Sequence, residues 1–574
     1  QDLLSGSERL RIEMRDRVSG LVTATVELRP AVDYTIDYLQ GTVLLSEPLA
    51  ANGQSDLLVR DGAVSGDEAY LIASYEFTPG FDDIDALSTG AQGHYWITDH
   101  IQVGATTSLN ELDDRDSNLL ASNLTLRQSA ETWLKVQSAR SEGQLTGTLH
   151  SQDGGFGFQG LSTSTFAQAD AGAYRADLSV GFGDLFDQGR GRFTFYAQQI
   201  DAGFSAPGQA SLTDTENYGG TVALPLTDDL QLRARSDQRD HDLGISQAQH
   251  ELDVSYRFND QWRIATGLRQ DELDHDAVLA PPTLDTGDRT DAIIEVGYAA
   301  ASSWDAYVFA QDTIAKSETR DSNARYGMGG TYQMNDKIKL EGEISGGDLG
   351  VGGKAGTSYA VTEQTSMYLN YALENERTDN VLRARRGKEG SIVGGMKTRL
   401  SDHTSVYTEH RYRDGNALTG LTHASGVNLT PTPHWNLGLS SDIGTLRDRT
   451  TGAETERRAL GVQASYKVGA MYLSTGIEYR EDVNEQLDLT NSSRETWLYR
   501  SSFKVNTSPS TRLLGKFNHA ESESSLGQFF DGGFTEASIG YAYRPIHHDR
   551  LNALVKYTYF YNVPTTDQVT LKNT

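Results

Sequence analysis

The sequence predicts an all-β fold: a large antiparallel transmembrane β-barrel of about 26 to 28 strands, preceded by a small N-terminal β-domain. Three observations lead there. Apolar residues recur with a period of two from about Ser88 to Tyr561, very short turns alternate with longer polar links, and tryptophans gather beside the short turns.

Residues 1–80 come first and read differently from the rest. Leu10–Met14, Gly20–Leu28, Val32–Asp37, Thr42–Leu45 and Ala69–Phe77 have the pattern of short strands in a compact β-domain, and Thr78-Pro79-Gly80-Phe81-Asp82-Asp83 reads as a linker. The run Val32-Asp33-Tyr34-Thr35-Ile36-Asp37-Tyr38-Leu39-Gln40-Gly41-Thr42-Val43 is similar to a motif of very large outer-membrane and surface proteins of Gram-negative bacteria, among them giant barrel translocons of the SprA type. That resemblance implies an outer-membrane setting and a wide barrel. A strand-turn-strand of this kind also fits any small β-sandwich.

The barrel segment, 81–574, is built from one repeated rule. Val555, Tyr557, Tyr559 and Tyr561 alternate with Lys556 and Thr558; Ala537, Ile539, Tyr541 and Tyr543 alternate with Glu536, Ser538, Gly540 and Ala542. Trp262, Ile264 and Leu268 oppose Arg263, Ala265, Gly267 and Arg269 in the same way, and Met367, Leu369, Tyr371 and Leu373 oppose Ser366, Asn370 and Ala372. Each is a strand with one apolar and one small or polar face, and antiparallel closure lets such strands cross a bilayer with every backbone group paired. The polar set, represented by Arg263, Arg269, Glu295, Glu536 and Lys556, is expected to face a hydrated lumen.

Turns and tryptophans orient the barrel. Thr98-Asp99-His100, Asn259-Asp260, Ser302-Ser303, Asn335-Asp336, Ser401-Asp402, Thr432-Pro433 and Gly469-Ala470 suit tight hairpins. Residues 271–288 and 481–493 carry several carboxylates and no lysine or arginine, and read as long acidic loops on the opposite rim. Trp96, Trp133, Trp262, Trp304 and Trp435 lie near short turns and are expected to form a membrane girdle; Trp497 follows a long link. Short turns are assigned to the periplasm and long links to the exterior. Counting directions, Tyr70–Phe77 is expected to be the first barrel strand, which would leave residues 1–80 periplasmic or plugging the lumen; if it is not a barrel strand, residues 1–80 would be extracellular. The strand at 550–561 would then rise, and parity is expected to require a further descending strand beyond the C-terminus of this sequence.

Composition narrows the chemistry. The formal net charge is −29, which disfavours binding to phosphate backbones, so no nucleic-acid partner is expected. Cysteine is absent, which removes thiolate metal sites and cysteine nucleophiles. No apolar run reaches the length of a transmembrane helix. The opening Gln1-Asp2-Leu3 reads as a mature chain or a fragment. Phosphate-loop, zinc-protease and nucleophile-elbow motifs are missing, and the glycines at 346, 347, 350, 352 and 353 precede no helix. His403, Ser405, Glu409 and His410 share one strand at the short-turn rim, where interfacial polar residues are the expectation rather than catalysis. His547-His548 reads as part of a polar turn. Asp113, Asp114 and Asp116, and the cluster Asp82, Asp83 and Asp85, offer hard oxygen ligands, so Ca²⁺ bridging acidic extracellular loops to lipopolysaccharide is one expectation and a solvated acidic face the other.

No enzyme activity and no cofactor are expected. A barrel this wide must be water-filled, plugged or threaded. The functional expectation is a conduit, a pore or translocation channel, for a large solute or polypeptide. The alternative is a non-conducting outer-membrane anchor for surface-displayed domains or a filament. A receptor energised across the envelope fits less well, because residues 1–80 are short for its usual plug. Outer-membrane lipid and lipopolysaccharide are the expected partners, with a translocated or displayed protein as a further one.

Overall fold

The computed structural model describes residues 8–15, 22–30, 33–37, 42–45, 58–60, 62, 66 and 68–74 of the N-terminal part. From 87 onward it describes all but 112–116, 144–148, 151–158, 161–168, 187–188, 207–208, 212, 243, 276–285, 301–302, 349, 379–384, 417, 450, 486–491, 526–531, 544–550 and 564–574. Within this set, 26 strands close into one barrel. They run from Leu87–Thr98 to Leu551–Val563, and each pairs antiparallel with its sequence neighbour in the ring. The last strand then pairs with the first, with Leu551 opposite Tyr95 and Tyr559 opposite Leu87. Strand lengths span 9 residues at Arg192–Ile200 to 17 at Ser492–Ser508, long enough to cross a hydrocarbon layer at a tilt.

Alternation fixes which side chains face where. In the strand Trp262–His275, Ala265, Arg269, Asp271 and Leu273 are at most 2% exposed, whereas Trp262 and Leu268 are each 45% exposed. The large apolar side chains Trp262 and Leu268 point outward while the charged Arg269 and Asp271 are buried inward, the reverse of a water-soluble fold. Val308, Ile344, Leu369, Val462, Ile539 and Val555 repeat this outward exposure around the ring. Such a continuous apolar belt is stable only against lipid.

One rim is closed by a shared turn device. Asn259 Oδ1 accepts from the backbone N–H groups of Gln261 and Trp262, each at 2.9 Å, and Asn335 Oδ1 accepts from Lys337 at 2.8 Å and Ile338 at 2.9 Å. Thr98, Thr362, Ser401, Thr432 and Ser508 use a hydroxyl for the same i to i+2 bond. A short polar side chain that replaces a missing backbone acceptor is why these residues occupy the tight hairpins.

Two expectations about the ends of the barrel are corrected. Glu68–Ser74 is not a barrel strand: it pairs with Arg9–Arg15, which also pairs with Val22–Glu27, in a separate three-stranded sheet. Tyr34–Asp37 and Thr42–Leu45 form a hairpin of their own. With Leu87–Thr98 as the first barrel strand, a descending start and a rising end already give an even number, so parity requires no further strand.

The acidic stretches are corrected too. Asp271 belongs to the interior of the strand Trp262–His275, buried and ion-paired with Arg320, and Asp482 lies in Met471–Glu485, 2.7 Å from Arg457. Carboxylates at alternating strand positions look like loop acids in sequence because the arginines that neutralise them come from other strands and links.

Candidate functional site

The inward face of the wall between residues 245 and 362 is a dense layer of paired charges. Arg289 lies 2.8 Å from Asp291, Arg269 lies 3.9 Å from Glu251, and Arg320 pairs with Asp271. All six side chains are nearly inaccessible to solvent, so the interactions hold in a low-dielectric setting where an unpaired partner would be costly.

Across this wall lies a three-residue piece of the N-terminal part, Leu58-Val59-Arg60. Its backbone is held by side chains rather than by a sheet. Leu58 N–H donates to Asp253 at 3.2 Å, Val59 N–H to Glu251 at 3.1 Å, and Arg60 N–H to Gln311 Oε1 at 2.9 Å. Gln311 Nε2 returns a bond to the Arg60 carbonyl at 2.9 Å, and Asn323 Nδ2 donates to the same carbonyl at 2.6 Å. Three successive amides and one carbonyl are thus satisfied by residues from two barrel strands, Ile245–Arg257 and Trp304–Lys316, and the link that carries Asn323.

The side chains are held as well. Val59 packs with Ile293 and Phe309 in a buried apolar cluster that Leu58 and Tyr307 border. The Arg60 guanidinium pairs with Glu343, sits 3.5 Å from Glu295, and stacks with its carbon 3.5 Å from the Phe309 ring centroid. Both carboxylates have a second partner: Tyr307 Oη donates to Glu343 at 2.6 Å, and Arg263 donates to Glu295 at 2.6 Å. Two fixed carboxylates and an aromatic face make a strong guanidinium receptor.

Other N-terminal residues approach the wall elsewhere. Arg15 lies in electrostatic range of Arg239, and Glu8 in range of Lys504, on strands nearly opposite one another in the ring. Near Glu8, burial and that carboxylate push the Tyr34 hydroxyl up to about 12.

Of the residues singled out from sequence as lumenal, Arg263, Arg269 and Glu295 stand on the inward face, and two of them meet at the Arg60 site. Glu536 and Lys556 occupy register positions opposite Asn518 and Gly540; their side chains lie outside the described residues. Trp262, Trp304 and Trp435 point outward, and Tyr298 bridges the first two at 4.8 and 5.0 Å. Trp96 and Trp133 face the lumen instead. Tyr95 and Ile97, flanking Trp96, are the exposed pair, and Arg127 lies 4.3 Å over the Trp96 ring; Trp133 is in register with Arg127 and with buried Ser179. Proximity to a turn gives height along the wall but not the face, which parity decides. Trp497 and Tyr479 stack at 5.0 Å on the outer face.

Asp113, Asp114 and Asp116, Asp82, Asp83 and Asp85, and His547-His548 lie outside the described residues. His410 meets His423 of the neighbouring strand, with Nδ1 atoms 2.5 Å apart, and Glu409 is bound by Tyr368 and Arg411. Sequence reasoning missed Leu58–Arg60, Phe309, Gln311, Asn323 and Glu343. The alternation that marks inward strand positions was available for 309, 311 and 343, but nothing local marks the segment that docks on them.

No family model matches the chain, and no curated protein matches it. Among solved structures, it is similar to the FrpB iron transporter of Neisseria meningitidis, at 11% identity over 89% of this chain and 86% of that one, with a TM-score of 0.43. It is also similar to FpvA of P. aeruginosa bound to a heterologous pyoverdine, at 10% identity over 86% and 74%, with a TM-score of 0.37. A third is OmpT, an outer membrane protein of Vibrio cholerae, at 10% identity over 58% and 98%, with a TM-score of 0.26. The protein is a bacterial outer-membrane β-barrel, on the closed even-stranded antiparallel wall and its apolar outer belt.

Proposed function

We propose that this barrel is a conduit for a large solute or polypeptide, with residues 1–80 as its plug. The observation that carries the reading is the docking of Leu58–Arg60 onto lumenal side chains by backbone bonds, apolar packing and a paired guanidinium. A wall of 26 strands encloses a bore wider than the 16 to 18 strands that suffice for an aqueous channel, so something must occupy or traverse it. A removable segment held by side chains, rather than fused into the sheet, is what a gated path requires. The polypeptide form of the reading is the one the translocon resemblance of Val32–Val43 favours.

The docked segment also supports a second reading, a non-conducting anchor with a permanent plug. Single-channel conductance separates the two. The full chain should be quiet or briefly open, and the full chain carrying Arg60→Ala and Glu343→Gln should open to large, stable steps. Silence in both forms, with the barrel folded, would reject the conduit and favour the anchor.

A further inference from the structure

We propose that the docking site of Leu58–Arg60 is a binding site for a second polypeptide, an extended segment carrying two aliphatic residues followed by arginine, and that the chain's own segment occupies it as a stand-in ligand. The inference rests on the plugged-conduit reading and adds what displaces the plug.

The site reads a peptide rather than a single side chain. Asp253, Glu251 and Gln311 each accept one of three consecutive amides, and Gln311 also donates to the Arg60 carbonyl, the two-bond pattern a neighbouring strand would make. Side-chain positions along the segment are specified too. Gly267 leaves room for the first: a Cβ there would come within 3.3 Å of Leu58 Cβ and 3.1 Å of Ile293. Ile293 and Phe309 enclose the second. Glu343, Glu295 and the Phe309 face receive the third, and the charge and planarity of that receptor select arginine over lysine or a neutral side chain.

These contacts come from barrel residues far from 58–60 in sequence, so the site exists whether or not the segment is in it. A ligand in competition with a tethered occupant binds with an affinity reduced by the fraction of time the site is vacant. Vacating the site should therefore raise affinity for an added peptide, and an added peptide should release the segment.

The probe is a fluorescent acetyl-Leu-Val-Arg-amide, with the citrulline analogue as its uncharged isostere, read by anisotropy on the full chain in detergent. Arg60→Ala should bind the arginine peptide at least about tenfold more tightly than the parent, and should prefer it over citrulline by about tenfold or more. Adding Glu343→Gln should cut that preference several-fold, leaving only what Glu295 and the Phe309 face supply. In the parent, saturating peptide should speed hydrogen exchange at residues 58–60, a readout that needs no variant to fold. Equal affinity for the two peptides in Arg60→Ala, or no change in exchange in the parent, overturns the proposal. Selective binding with exchange release but no rise in conductance upholds the binding site and rejects the conduit reading, so the two fail separately.

Discussion

Arg60 and Glu343 are 283 residues apart in the chain and form a buried ion pair in the lumen, with side-chain exposures of 6% and 1%. Glu343 is also held by Tyr307 and lies 3.7 Å from Lys354, so barrel residues as well as the arginine fix the carboxylate. Removing its charge leaves a buried guanidinium whose one remaining carboxylate among the described residues is Glu295 at 3.5 Å. Breaking a buried pair costs about 3–5 kcal/mol, and the remaining carboxylate offsets part of that, so Glu343→Gln should weaken the docked segment by about 1–3 kcal/mol. Hydrogen exchange at residues 58–60 should accelerate about tenfold or more, while the barrel strands stay protected. Unchanged exchange would show that the pair does not hold the segment.

Gly267 offers an independent way to disturb the same contact. A Cβ at this inward position would collide with the Asp253 carboxylate and press on Ile293 and Leu58. Asp253 accepts from Leu58 N–H, so Gly267→Ala should displace that acceptor as well as crowd the aliphatic pocket. The expected outcome is a barrel that still migrates as a folded species without heating, with faster exchange at residue 58. A larger effect is expected for Gly267→Leu. A change confined to barrel stability would place the effect of the methyl in the strand rather than at the segment.

Much of this architecture was legible because each strand carries its own record. The alternation of Trp262, Ile264 and Leu268 with Arg263, Ala265 and Arg269 is a local property, and the turn at Asn259 is specified by the one side chain that caps it. The face of Trp96 was not legible from its distance to a turn. It needed the parity of its neighbours Tyr95 and Ile97, both exposed on the lipid side. Asp271 was read as a loop acid because Arg320, 49 residues onward, neutralises it only after the wall closes. The Arg60 site was least legible. Its parts lie at 251, 253, 295, 311, 323 and 343, and only register across the wall brings them to one place.

The two classes of tryptophan make a separate prediction. In variants that keep one tryptophan each, Trp262, Trp304 and Trp435 should be quenched by brominated lipid, and Trp96 and Trp133 should not, since their rings lie on the lumenal face beside Arg127. Lipid quenching of Trp96 comparable to that of Trp262 would put the first barrel strand out of register by one residue.

Acid should loosen the small N-terminal sheet. Glu13 lies in the central strand Arg9–Arg15, nearly buried, with Arg11 and Arg15 each 2.7 Å from its carboxylate. Burial alone would push the carboxyl up, but the hydrogen bonds and charges of Arg15 and Arg11 outweigh it, so its value in the folded chain lies below the ordinary 4.5. A carboxyl with a depressed folded value binds protons more readily when unfolded. Its contribution to stability is therefore complete above 4.5 and is lost as pH falls through the lowered value. Hydrogen-exchange protection of Arg9–Arg15, corrected for intrinsic rates, should be flat from neutral pH to about pH 5 and fall below that. Glu13→Gln should lower protection at neutral pH and remove the fall, because it leaves two guanidiniums facing a group that no longer titrates. A variant that kept the same acid transition would assign it to a different carboxylate.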